Sequence, residues 1–205
     1  MNEIKIGRML RAGMSGFVVG CQVDKIDVPS FGSLVRAPIG EHAQVYGLVH
    51  DLHVDDDGLV RHLATAPEVE PSTIQDAQVN RNIPVEISVL SVGYEEDSKL
   101  RHVLPPRPPL SLDLIYKCSP PEVMNFTSQG RFGYFRHLLR HEDIPLVELL
   151  AAHIRQSHQI HEKSDDPSWS KRAVEELILL LQDDYQTLTS LLGALQDTLG
   201  EERIV

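Results

Sequence analysis

Residues 31–63 read as three β-strands joined by turns, and this pattern constrains the fold more than any other part of the chain. The first two strands are the apolar runs at residues 31–38 and 45–54. Residues 55–58, Asp-Asp-Asp-Gly, then lead into a third run at residues 59–63. An Asp-Gly pair between apolar runs is a strong short-range hairpin signal. The central stretch therefore predicts a small antiparallel sheet.

Two glycines inside these runs, Gly32 and Gly47, indicate that the sheet is sharply curved, because a glycine within a strand marks a β-bulge or a close backbone approach. Further segments have strand character: residues 4–10, 17–23 and 83–94. The count reaches about six strands by Tyr94, close to the number that a small closed barrel needs to remove its free edges. Residues 1–103 are therefore predicted to form a small closed antiparallel β-barrel.

The second half of the chain is predicted to be helical. Residues 104–118 are predicted to form a stiff connector, because the proline run at residues 104–110 cannot donate the hydrogen bonds of a strand ladder. In residues 119–205 the pattern changes to helical periods, beginning with the capping-box arrangement Ser119-Pro120-Pro121-Glu122. The segments expected to be helical are residues 120–129, 131–140, 143–162 and 165–199. The predicted fold class is α+β, a barrel followed by an α-helical C-terminal region.

The last predicted helix, residues 165–199, carries a heptad repeat. Its two apolar rows are formed by Val174, Ile178, Leu181, Tyr185, Leu188, Leu192, Leu195 and Leu199. At 1.5 Å per residue this helix would be roughly 45 to 50 Å long, whereas the helix at residues 143–162 would be about 30 Å. The shorter helix cannot cover the whole apolar stripe of the longer one. The part left uncovered predicts that the chain forms a homo-oligomer through this seam.

Charge is distributed unevenly along the chain. The net charge of −11 argues against a protein that coats nucleic acid through bulk electrostatics. Residues 98–141, however, contain seven basic and two acidic residues, which gives +5 for this segment and leaves −16 for the rest. Either these arginines are solvated or paired locally, or they contact nucleic acid or a protein partner. The candidate contact residues are Arg101, Arg107, Arg131, Arg136 and Arg140.

No motif for catalysis or for a cofactor is recognisable in the sequence. There is no nucleophile elbow around any serine, and no lysine follows a glycine as a phosphate-binding loop requires. The histidine pairs His137/His141 and His158/His161 have helical spacing but lack the flanking pattern of a known zinc site. The sequence thus predicts no enzyme, no cofactor and no metal, and a histidine-based metalloenzyme is only a third hypothesis.

The expected location is a reducing cytoplasm. The sequence from Met1 shows no basic-then-apolar signal segment, and no apolar run approaches the ~18 residues of a membrane span. The two cysteines, Cys21 and Cys118, are far apart and are expected to behave as buried small hydrophobes. With 205 residues, 41% of them apolar, the chain is long enough to bury a core of its own.

Four short motifs in the first half resemble the HAS barrel, the small β-barrel at the N-terminus of HerA-type DNA translocases and of the catalytic subunits of rotary ATP synthases. The motifs are Ile6-Gly7-Arg8, Gly16-Phe17-Val18-Val19, Phe31-Gly32-Ser33-Leu34-Val35 and Val45-Tyr46-Gly47-Leu48-Val49. The resemblance covers residues 4–95, and the PRC-type barrel of ribosome-maturation factors has similar spacing. In the translocases this barrel holds subunits together and receives a nuclease partner.

The resemblance implies a docking role without a motor, since helices follow the barrel here in place of the ATPase domain. The expected function is a non-enzymatic accessory or assembly subunit that docks on a HerA-like DNA-processing motor or nuclease. The alternative is a nucleic-acid or ribosome-associated binding module that uses the basic segment 98–141. Binding to nucleic acid is expected to be weak, because the surrounding charge repels phosphate.

Overall fold

The computed structural model describes residues 3–22, 29–54 and 84–200, together with residues 65, 66, 69, 70 and 72. The described strands are β1 (Ile4–Ala12), β2 (Gly16–Gln22), β3 (Leu34–Pro38), β4 (Ala43–Val54), β5 (Pro84–Glu96), β6 (Lys99–Arg101) and β7 (Leu114–Lys117). They pair in the order β2-β1-β7-β3-β4-β5-β6, all antiparallel. Because β2 also pairs with β5, six strands close into a barrel and β6 is added to β5 outside it.

The predicted α+β class and the closed barrel of about six strands are confirmed, but one strand differs from the expectation. The run at residues 59–63 lies outside the described residues. The sixth described barrel strand is β7, which lies within residues 104–118, the segment predicted to be a connector. Strand β7 fills the gap between β1 and β3, where Ile115 is fully buried. The proline run ends before β7 and so leaves its backbone free to pair.

Side chains fill the interior of the barrel. Alternate residues of β2, namely Phe17, Val19 and Cys21, point inward, as their sequence period predicts. They pack with Met9 and with apolar residues of the other strands in one buried cluster. The opposite, outer face of β3, β4 and β5 forms a second cluster with the helices. Each strand at this side of the barrel is therefore covered on both faces.

Gly32 and Gly47 occupy the close approaches that the sequence predicts. Gly32 has φ +82°, and a Cβ there would lie 2.8 Å from the backbone nitrogen of His153. Gly47 lies at a register shift between β4 and β5, and a Cβ there would collide with Val89. The missing side chain allows the backbone of His153 to approach the barrel at Gly32, and it allows strands β4 and β5 to approach each other at Gly47.

The described helices are α1 (Pro120–Ser128), α2 (Phe135–Leu139), α3 (Leu146–Glu162), α4 (Trp169–Leu180) and α5 (Tyr185–Leu199). A single 3-10 turn, Gly130–Phe132, connects α1 to α2. Helix α1 starts as expected, since the Glu122 carboxylate accepts hydrogen bonds of 2.7 Å from the backbone N–H and the hydroxyl of Ser119. Among the described residues, no helix has both the length and the apolar character that a membrane crossing requires.

The prediction of one long C-terminal helix is wrong. The helix ends at Leu180, and a new one begins after Asp184, whose side chain accepts a hydrogen bond from the backbone N–H of Thr187 at 3.1 Å. This side-chain cap satisfies a backbone donor that a continuous helix would have bonded internally. The break lets α5 fold back onto α3, so the heptad rows do not form one straight stripe.

The eight seam residues consequently have different environments. Val174, Leu181, Leu195 and Leu199 are buried in the core that the helices share with the barrel, and Leu188 and Leu192 pack against it. Only Ile178, at 40% exposure, and Tyr185, at 79%, face outward. Together with Leu179 and Leu180 they form an exposed apolar corner between α4 and α5, here called the α4–α5 corner.

Candidate functional site

An aromatic cluster joins the barrel to the helices. The ring of Tyr46 on β4 lies 4.9 Å from that of Phe126 on α1, and the Phe126 ring lies 5.2 Å from that of Tyr134. The imidazole of His102, just after β6, contacts both rings at 4.6 and 5.1 Å. These side chains are buried, and aromatic pairs at such distances add to the free energy gained by burial. The barrel and the helices therefore share one core.

His153 on α3 connects the helices to the barrel through two hydrogen bonds. Its Nδ1–H donates to the Gly32 carbonyl at 3.1 Å, and its Nε2 accepts from the Tyr134 hydroxyl at 3.1 Å. Both ring nitrogens are satisfied by the neutral imidazole, and the side chain is buried. Burial lowers the pKa of His153 to about 4. This histidine is a structural connection between two parts of the fold.

Thr127, His161 and Asp166 are arranged in the order of a hydrolytic triad. The His161 Nε2–H donates to the Thr127 hydroxyl at 2.8 Å, and Nδ1 lies 3.6 Å from the Asp166 carboxylate. Thr127 is fully buried, and its hydroxyl donates to the Val123 carbonyl at 2.8 Å. His161 stacks on Trp169. Because Thr127 lines none of the described clefts, the geometry fits a structural hydrogen-bond network between helices better than a nucleophile.

The histidine pairs singled out in the sequence separate in the structure. His137 donates to the His102 carbonyl at 3.1 Å, whereas His141 faces His50 of β4, with ring centroids 6.2 Å apart. His158 lies 3.9 Å from Glu162, whereas His161 hydrogen-bonds to Thr127. Within the described residues, no group of three or more His, Cys, Asp or Glu side chains could hold a metal ion.

The cysteines are both buried and unbonded, as the sequence indicates. Cys21 lies in the barrel interior and Cys118 in the core shared with the helices. Burial raises the pKa of each thiol. A protonated, buried thiol is a poor nucleophile, so neither cysteine offers reactive chemistry.

The five candidate arginines differ in how far they are engaged within the chain. Arg101 lies 3.8 Å from the Glu96 carboxylate and over the ring of Tyr94. Arg136 donates to the carbonyls of Gly133 and His102. The remaining three, Arg107, Arg131 and Arg140, are exposed. Sequence reasoning placed these residues in one basic segment, but the structure distributes that segment over β6, β7, α1 and α2.

Large apolar side chains are exposed on the side of the barrel around β1. Leu10 of β1 and Met14 in the following turn are 45% and 41% exposed. Leu110 and Leu112 are more exposed, at 73% and 68%, and the backbone N–H of Leu112 donates to the Met9 carbonyl at 2.8 Å. We call these four exposed residues the β1 face. No local sequence pattern indicates this face, because its two halves are about 100 residues apart in the chain.

A cleft of about 940 Å³ lies where the barrel meets the start of α1. On its barrel side Tyr46 donates to the Glu95 carboxylate at 2.8 Å, and Gln44 donates to the same oxygen at 3.1 Å. Arg36 lies 2.8 Å from Glu122 of α1 and against the ring of Tyr116. Sequence reasoning missed this cleft, since its polar residues come from four strands and a helix.

No protein-family model matches the chain, and a search of curated proteins found no match.

Proposed function

We propose that this chain is a non-enzymatic accessory or assembly subunit of the cytoplasm that docks through its barrel on a HerA-like DNA-processing motor or on the nuclease partner of such a motor. The observation that carries the proposal is the β1 face. The barrel interior is filled by side chains and the helices cover β3, β4 and β5, whereas Leu10, Met14, Leu110 and Leu112 remain exposed around β1.

An exposed apolar group of this kind is typical of a protein-binding surface. Burying one leucine side chain contributes about 1.5 to 3 kcal/mol, so four such residues offer enough free energy for a specific contact after the entropy of association is met. A non-enzymatic role is also supported, because Thr127 and His161 of the triad-like group are buried between helices.

The test mixes the purified chain with a purified HerA-like ATPase and its nuclease from the same genome and measures complex formation by size-exclusion chromatography with light scattering. We expect a complex that is lost in the double variant Leu10→Asp, Leu112→Asp. The matched control is Val54→Asp, at a 57% exposed position of β4, which is three strands away from β1 around the barrel. Absence of a complex with either wild-type partner, or a complex indifferent to the β1 changes, would contradict the proposal.

The second candidate function, a nucleic-acid or ribosome-associated module, draws on the exposed Arg107, Arg131 and Arg140. It is weakened by the engagement of Arg101 and Arg136 with groups of this chain. A salt-dependent binding measurement separates it from the docking function, as described in the Discussion.

A further inference from the structure

The cleft between the barrel and α1 has the features of a binding site of its own. Its volume, about 940 Å³, is within the upper range of ligand pockets in proteins. Its apolar lining includes Ile4, Pro120, Pro121 and Ile160, while the outer face of the barrel supplies polar groups. It is distinct from the β1 face of Leu10, Met14, Leu110 and Leu112, so it does not depend on the docking proposal.

The charges in the cleft are not balanced. Arg36 is shared between two carboxylates, those of Glu122 and Glu3, so its charge is already compensated. Glu95 accepts hydrogen bonds only from neutral donors, and no described lysine or arginine nitrogen lies within 4.0 Å of it. Lys117 lines the far end, on β7, separated from β5 by β3 and β4. Three inter-strand spacings amount to about 14 Å, too far for a direct ion pair.

The carboxylate of Glu95 is held in place. Its two donors come from the barrel itself: Tyr46 is 98% buried, and Gln44 donates to the Tyr46 hydroxyl oxygen as well as to Glu95. Burial, together with the hydrogen bond to Glu95, raises the pKa of Tyr46, so the phenol stays a donor. The result is an oriented, uncompensated carboxylate beside an apolar wall.

We infer that this cleft binds an ammonium or guanidinium group carried on an aliphatic chain, with the cation at Glu95 and the stem along Ile4, Pro120, Pro121 and Ile160. A lysine or arginine side chain of a bound polypeptide has this chemistry, and so does a free polyamine. The net charge of −11 favours the approach of such a cation. A charge-assisted hydrogen bond to a fixed carboxylate is stronger than one between neutral groups.

The experiment follows backbone amide shifts in ¹H–¹⁵N NMR spectra during titration with four probes. These are the Nα-acetyl N-methylamides of lysine, arginine and norleucine, and spermidine. We expect at least one of the three cationic probes to shift the amides of Gln44, Glu95 and Asn125 saturably, with a Kd in about the millimolar range. The norleucine probe, which keeps the stem and lacks the charge, should bind much more weakly.

Variants assign the effect to Glu95. Glu95→Gln keeps the shape and should weaken cation binding about tenfold or more, because it removes the charge that the cation meets. The matched control is Glu96→Gln, on the next residue, which does not line the cleft. Asn125→Asp, at an exposed position of the lining, adds a carboxylate and should tighten binding. It keeps the test decisive if Glu95→Gln does not fold.

Each outcome either identifies the source of the cation or overturns the inference. Tighter binding of the lysine or arginine probe indicates a polypeptide side chain, and tighter binding of spermidine indicates a polyamine. The inference is overturned if no cationic probe gives saturable shifts, if norleucine binds equally well, or if neither the Glu95 nor the Asn125 variant changes the affinity.

Discussion

His153 of α3 and Gly32, in the turn before β3, are 121 residues apart in sequence and share a hydrogen bond of 3.1 Å from the imidazole Nδ1–H to the backbone carbonyl. The bond requires the close approach that only glycine permits at position 32. It also requires that the helical region be docked on the barrel. The pair therefore couples the packing of the two halves to the protonation state of one buried side chain.

The first prediction is that the chain loses stability in mild acid. Burial lowers the pKa of His153 and of His102 to about 4, so the unfolded chain takes up protons first as the pH falls. The contribution of these two neutral histidines to the free energy of unfolding is therefore complete above pH 6.5 and is lost as the pH falls from 6.5 to 4. The unfolding free energy at pH 5 should be about 2 kcal/mol lower per histidine than at pH 7.5.

Urea unfolding at the two pH values measures this difference. His153→Gln should reduce it, since the glutamine amide can still donate to Gly32 and does not titrate. The control His42→Gln, at a position 78% exposed, should leave the difference unchanged. A stability that is equal at pH 7.5 and pH 5 would disprove the role of these histidines.

The second prediction compares two glycines with positive φ. Gly32→Ala should destabilise the chain by about 2 kcal/mol or more, because the new Cβ meets the backbone of α3 as well as an unfavourable φ. Gly40→Ala is the matched control: its φ is also positive, but the new Cβ meets only the mobile end of Arg107. It should cost about 1 kcal/mol. Equal costs in denaturant titrations would mean that the approach of α3 is not tight.

The third prediction concerns self-association, which the sequence pattern suggests. In the structure the remaining uncovered apolar residues of the last two helices lie at the α4–α5 corner, where Leu179 is 62% and Tyr185 79% exposed. We expect light scattering at ~100 µM to give a mass above 23.0 kDa, and Leu179→Asp with Tyr185→Asp to restore the monomer. Leu195→Asp, at a fully buried position, should instead unfold the helices. A wild-type monomer at this concentration rules the prediction out.

The fourth prediction tests the alternative function. If Arg131, Arg136 and Arg140 contact phosphates, replacing all three by alanine should flatten the dependence of log K on log salt concentration by about two to three units. We expect little binding even at ~50 mM salt, since the rest of the chain carries −16. Tight, salt-dependent binding by the wild type, lost in the triple variant, would favour the nucleic-acid module over the docking subunit.

The sequence predicted those elements whose pattern is local. The alternation of Phe17, Val19 and Cys21 reports the inner face of β2 directly. Strand β7 was missed because four residues after a proline run are too few to show a period. The break before Asp184 was missed because Leu181 is buried and so continues the apolar period across the turn.

The sites were harder to predict than the fold, because their residues meet only after folding. The pairs Arg36–Glu122 and Tyr46–Glu95 join distant segments, and no local spacing reports either contact. The His137/His141 pair shows the opposite error, in which a local spacing suggested a joint role that tertiary packing assigns to different neighbours.

Strand β7 also determines how the chain can be divided. It lies between β1 and β3 in the barrel and leads directly into α1 through Cys118 and Ser119. A fragment ending near residue 103 would lack this strand and leave β1 and β3 with unpaired edges, which favour aggregation. The barrel and the helices should accordingly unfold in one cooperative transition, and an isolated helical half would take a barrel strand away with it.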